Sequence, residues 1–140
     1  MKRITLLTIA VFTAVSALGL TACSKDAEVA AFLTELDAVT QEISSKIDAS
    51  PDLDGINAAQ KAFDARKASL NAKWGAIKDA VGFQFSADTK KKLEDTVKKD
   101  MGIIVGLAQN HAMEIAQDPD ANKAWEKLLK DYTDVITEGK

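Results

Sequence analysis

One cysteine, one histidine and two prolines are the whole stock of those residues in 140, and aromatics make up only 6%. A single thiol cannot close a disulfide within the chain, and one Cys with one His cannot build a structural zinc site. The lone histidine also leaves haem and di-iron chemistry short of ligands. A helical di-iron site wants paired Glu-x-x-His, whereas the chain has His111-x-x-Glu114, reversed and once. Met101 and Met113 would share a helix with His111 and so could not reach the opposite haem face. No Cys-x-x-Cys-His and no Gly-x-Ser-x-Gly elbow occur, and nucleophilic catalysis needs a base placed beside its nucleophile. What remains, 46% hydrophobic and 28% charged, is the composition of a folded globular domain.

Long apolar runs are also scarce, with one exception at the start. Lys2 and Arg3 are followed by the uncharged stretch Ile4–Leu20, 17 residues that include Thr5, Thr8, Thr13 and Ser16. A spanning helix needs about 20 apolar residues. The stretch ends in Leu20-Thr21-Ala22-Cys23, and Ser24-Lys25-Asp26 turns polar at once. Charge, apolar middle and small residues before a boundary are the layout of a cleaved secretory signal.

Leu20-Thr21-Ala22-Cys23 resembles the lipobox of bacterial lipoproteins: a Leu, two small or polar residues, then Cys. The resemblance covers residues 1–23 alone. It implies that the Cys23 sulfur receives a diacylglyceryl group and that a signal peptidase cuts between Ala22 and Cys23. The new amine is then open to acylation with a further fatty chain such as palmitate. Each buried methylene contributes about 0.8 kcal/mol, so two or three chains hold firmly where one holds marginally. Ser24 in place of an acidic second residue implies, for a Gram-negative host, the outer membrane on its periplasmic side. The expected division is therefore a signal peptide over 1–22, a tether over 23–26 and a helical domain over 27–140.

Loss of residues 1–22 leaves 118 of the 140, with 16 basic residues against 21 acidic, a charge of −5. An acidic domain argues against nucleic acid as a partner. The only basic stretch, Lys90-Lys91-Lys92 with Lys98-Lys99, is interrupted by Glu94, Asp95 and Asp100 and reads as a solvated helix face.

The domain reads as four helices. Val29, Phe32, Leu33, Leu36, Val39, Ile43 and Ile47 recur at steps of three and four over 27–49, with Asp26 expected as N-cap. Ile56, Ala59, Phe63, Leu70, Trp74, Ile77 and Val81 do the same over 56–81. Ser86 is placed to cap a third helix, striped by Leu93, Val97, Met101, Ile104, Ala108, His111 and Ile115 and ending near Gln117. Asp118-Pro119 opens a fourth, with Trp125, Leu128, Leu129, Tyr132, Val135 and Ile136 on one side. Short connections between such helices favour an all-α, antiparallel up-down-up-down four-helix bundle. The alternative is a three-helix arrangement with the third helix broken at Gly102 or Gly106.

These features predict a membrane-anchored, non-catalytic accessory or interaction module of the cell envelope. Its contacts would be the membrane, through lipidated Cys23, and an envelope protein. No catalytic, metal or cofactor-binding residue is assigned. Asp37, Glu42, Asp48, Asp79, Glu94 and Asp95 fall mostly at polar-face positions. His111 is expected to be structural; the competing reading makes it the polar contact of a bundle that holds haem, a metal or an apolar molecule. Phe83 and Phe85 are expected to seal the bundle end, and the Gly102-x-x-x-Gly106 spacing marks a close helix crossing or a weak point in the helix.

Overall fold

The computed structural model describes residues 25–80 and 84–137. Every element among them is helical: α1 (Asp26–Ala49), α2 (Leu53–Ile77), α3 (Ala87–Asn110), α4 (Ala112–Gln117) and α5 (Pro119–Thr137). There are thus five helices where four were expected. The third segment continues through Gly102 and Gly106 and breaks instead at His111, whose φ of −112° and ψ of 19° leave the helical range. Hydrogen bonds bridge the break, since His111 N–H donates to the Leu107 carbonyl and Ile115 N–H donates to that of His111, each at 3.0 Å.

The helix starts follow from local chemistry. The Asp52 carboxylate accepts the Gly55 N–H at 3.1 Å, so α2 begins before the expected Ile56. The end of α1 lies so close that a Cβ on Gly55 would sit 1.8 Å from the Ser50 carbonyl oxygen. Ser86 caps α3 by accepting the Thr89 N–H at 3.1 Å. Asp118 accepts the Asp120 and Ala121 N–H groups at 2.8 and 3.3 Å, with Pro119 in the first helical position. Asp26 departs from its expected role as a cap: it is already helical, and its carboxylate accepts the Ser86 N–H at 3.0 Å.

The core is a helical bundle in which α1 packs on α2 and α3, α2 packs on α5, and α4 packs on α5. All seven expected stripe residues of α1 are buried. In α2, Ile56, Ala59, Phe63, Leu70 and Ile77 are buried, Trp74 is half-buried, and Val81 lies outside the described residues. Five of the six apolar positions named for α5 are buried, with Leu129 packed at the margin. Phe32 meets Trp74 at a ring separation of 5.3 Å, and Phe63 meets Tyr132 at 5.9 Å. These tilted ring pairs add packing energy beyond their buried area.

Helix α3 differs from its expected pattern. Its fully buried residues are Asp100, Ile104 and Leu107, while Leu93, Val97, Met101 and Ala108 are half-buried. The inward seam thus runs Leu93, Val97, Asp100, Ile104, Leu107, His111, in alternating steps of four and three. An aspartate occupies a position that an apolar residue would normally take. No helix among the described residues is long and apolar enough to cross a membrane.

Candidate functional site

The most unusual chemistry lies where α3 meets α1. The Asp100 side chain has 0% exposure, and neither of its carboxyl oxygens has a hydrogen-bond partner among the described residues. The Lys99 ammonium stands 3.4 Å from Asp100 Oδ1 and also pairs with the Asp37 carboxylate of α1. One cation therefore serves two acids. Beside them Thr40 Oγ1 and Tyr132 Oη share a buried hydrogen bond of 2.6 Å, and Thr40 donates to the Leu36 carbonyl at 2.8 Å. The reading of Asp100 as part of a solvated charged face is thus corrected. Residues 90–92, 98 and 99 are exposed, but helix periodicity turns residue 100 inward, onto the seam of Val97 and Ile104.

The two carboxyls are driven in opposite directions. Burial holds Asp100 above the ordinary aspartate value; Lys99 opposes this, and the neighbouring Asp37 charge adds to it. The hydrogen bond from Lys99 holds Asp37 below that value, against its own burial. One member stays ionised while the other favours its proton. Tyr132 is also pushed up, first by burial and then by the charges of Asp100 and Asp37. Acid–base catalysis uses carboxyl pairs split in this way; here the Asp100 side chain has no exposure to solvent.

The other polar contacts join helices at their margins. Ser69 and Lys73 of α2 both bond Glu35 of α1; burial works against the Glu35 charge, yet the two bonds prevail and hold its carboxyl low. Asp131 of α5 accepts from Lys127 at 2.6 Å, Lys67 at 3.1 Å and Gln60 at 3.0 Å. The Lys127 bond leads in bringing Asp131 down to about 2, with Lys67 reinforcing it against burial. An open groove of about 530 Å³ runs between α1 and α2, lined by Ala30, Ala31, Thr34, Glu35 and Ala38 of α1 and by Arg66 and Lys73 of α2.

His111 is half-buried at the end of α3, with Nε2 2.9 Å from Asp48 Oδ1. That contact holds Asp48 low and ties the end of α3 to the last turns of α1. Met101 packs at the core margin, Met113 is 73% exposed, and Glu114 points to solvent. The structure does not bring these three together around the histidine. Among the described residues, no group of three or more His, Cys, Asp and Glu side chains is arranged to hold a metal ion.

Of the acids expected on polar faces, Asp79, Glu94 and Asp95 are exposed, whereas Asp37 and Glu42 are half-buried in pairs with Lys99 and Arg66. A Cβ on Gly102 or Gly106 would meet nothing within 4 Å, so the expected close crossing is not made among the described residues. Phe85 is half-buried against the core; Phe83 lies outside the described residues, as do Ala22 and Cys23. Comparison of the chain with protein-family models, with curated proteins and with solved structures returns no match.

Proposed function

We propose that this protein is a bacterial lipoprotein, held to a membrane by acyl chains on Cys23 and working as a non-catalytic accessory or interaction module of the cell envelope. The reading rests on the charged start, the apolar stretch and the Leu20-Thr21-Ala22-Cys23 boundary, which fall together on the chain's one cysteine. The carrying observation is how soon the folded domain starts after that boundary. Lys25 N–H donates to the Gln84 carbonyl at 2.8 Å, so only Ser24 stands between Cys23 and a residue bonded into the fold. Two residues reach about 7 Å at most. The domain is then pressed against the bilayer by its α2–α3 end, and any partner is met close to the membrane surface.

In this reading α3 and α4 together form one bent limb, giving the antiparallel up-down-up-down order of a four-helix bundle. The pairs Glu35 with Lys73 and Glu42 with Arg66 support opposite directions for α1 and α2. Asp26 with Ser86, Asp37 with Lys99 and Asp48 with His111 support the same direction for α1 and α3. The partner is an envelope protein rather than a nucleic acid, which an acidic domain would repel. In a Gram-negative host the site is the periplasmic face of the outer membrane.

Mass spectrometry of protein purified from its own host tests the anchor. The expected product begins at Cys23 with its sulfur and amine acylated, and Cys23→Ala leaves an uncleaved, unlipidated precursor. A polypeptide that starts at Met1, or a Cys23 that carries nothing, defeats the assignment.

A further inference from the structure

We propose that Asp100 is an ionisable latch on α3, which docks this helix on α1 when protonated and loosens it when the proton leaves for solvent. The inference does not depend on the lipid anchor. It rests first on position: Asp100 occupies a core seam at 0% exposure, and among the described residues both its oxygens lack hydrogen-bond partners, with the Lys99 ammonium nearby at 3.4 Å. Lys99 pairs with both Asp100 and Asp37, and a proton on Asp100 leaves the two carboxyls with one negative charge beside that one ammonium. Without the proton, two carboxylates share a single cation across the interface. The single ammonium between them is 53% exposed, so water weakens the compensation it offers. A buried charge with too few partners is relieved by hydration, and hydration here means parting α3 from α1.

The surroundings make α3 the element that yields. It buries three of its 24 residues, against eight of 24 in α1, and its packing is chiefly on α1 and the short α4. The groups facing Asp100 are Asp37 from α1, Lys99 from α3 itself and the Tyr132 hydroxyl from α5. α4 carries one charged residue, Glu114, exposed beyond the far end of α3. Asp37 is already ionised at mild pH, and Tyr132 is pushed further from titration. Asp100, held above the ordinary aspartate value, is therefore the carboxyl of the cluster that keeps its proton to the higher pH. The raised value fixes the sign: docking of α3 is strongest below the ordinary aspartate range and declines as pH climbs through the folded value.

Residue-resolved hydrogen exchange on the full chain in detergent micelles tests this between about pH 4.5 and 8, above the titration of the lowered carboxylates. With intrinsic exchange corrected, protection of α3 amides relative to α2 and α5 should fall as pH rises. The fall should be about tenfold for each pH unit by which folding raises Asp100. Asp100→Asn, which keeps a neutral donor at the position, should remove that slope. An equal slope in Asp100→Asn, or none in the natural protein, overturns the proposal. The Asp100 carboxyl carbon shift in the unaltered protein is a second readout that needs no variant. Titration above the ordinary aspartate range, in step with the loosening of α3, supports the latch, and titration at or below that range rejects it.

Discussion

Asp131 shows how one residue can bind two helices through a titratable bond. It collects Gln60 and Lys67 from α2 and Lys127 from its own helix, and the side chain is only 17% exposed. Its folded value, about 2, lies below the ordinary aspartate range. A lowered carboxylate contributes stability above the unfolded value, and that contribution disappears as pH falls through the folded one. Allowing for the water that Lys127 retains, the contribution is about 1–2 kcal/mol near neutrality. Urea unfolding of Asp131→Asn should therefore show a deficit of that size at about pH 6, shrinking steadily toward about pH 2. A deficit that stayed constant with pH would mean that shape rather than charge holds the contact. Asp100 acts in the opposite sense, because burial outweighs its single cation. The same residue type thus stabilises or strains the fold according to how many donors reach it.

At the scale of the helix, the sequence was most legible where apolar spacing ran without interruption. The stripes of α1 and α5 were readable because Val29 through Ile47 and Trp125 through Ile136 keep steps of three and four, and those side chains form the core. In α3 the same reasoning slipped by one residue. Periodicity counts an aspartate as outward, which puts Met101 at the seam position that Asp100 holds and leaves Leu107 off the stripe. The buried carboxyl pair was illegible for the same reason, since it arises from a polar residue in an apolar register. The break at His111 also had no sequence signal: neither glycine nor proline marks it, and the glycines that drew attention lie inside a continuous helix. Those glycines have no packing duty that a methyl would violate. Gly102→Ala should stabilise α3 by about 0.5–1 kcal/mol, seen as a higher thermal midpoint. Gly55→Ala should destabilise by about 1–3 kcal/mol, since its Cβ would collide with the Ser50 backbone. A loss of stability in Gly102→Ala would show that α3 needs its glycine for bending or for contact with another molecule.

For the whole molecule, the proposed anchor on Cys23 and the way the chain enters the fold together predict which end would meet a membrane. Lys25 is bonded to Gln84 and Asp26 to Ser86, so the start of α1 and the α2–α3 connection form one end. The 24 residues of α1 carry the chain about 36 Å from there at 1.5 Å per residue. At the opposite end His111 meets Asp48, so Asn110 lies roughly a helix length from the start. If acylated Cys23 is the only hold on the bilayer, Asp88 in the first turn of α3 should lie near the headgroups and Asn110 far from them. Fluorescent labels on Asp88→Cys and Asn110→Cys, in vesicles carrying headgroup spin labels, report this directly. Strong quenching at position 88 with little at 110 is the expected result. The charge of −5 that the proposed cleavage would leave gives the domain no general attraction to anionic lipid, so the contrast should survive a change of salt. Equal quenching at the two positions would mean that the bundle lies along the membrane, and stronger quenching at 110 would place the hold at the wrong end for a lipid on Cys23.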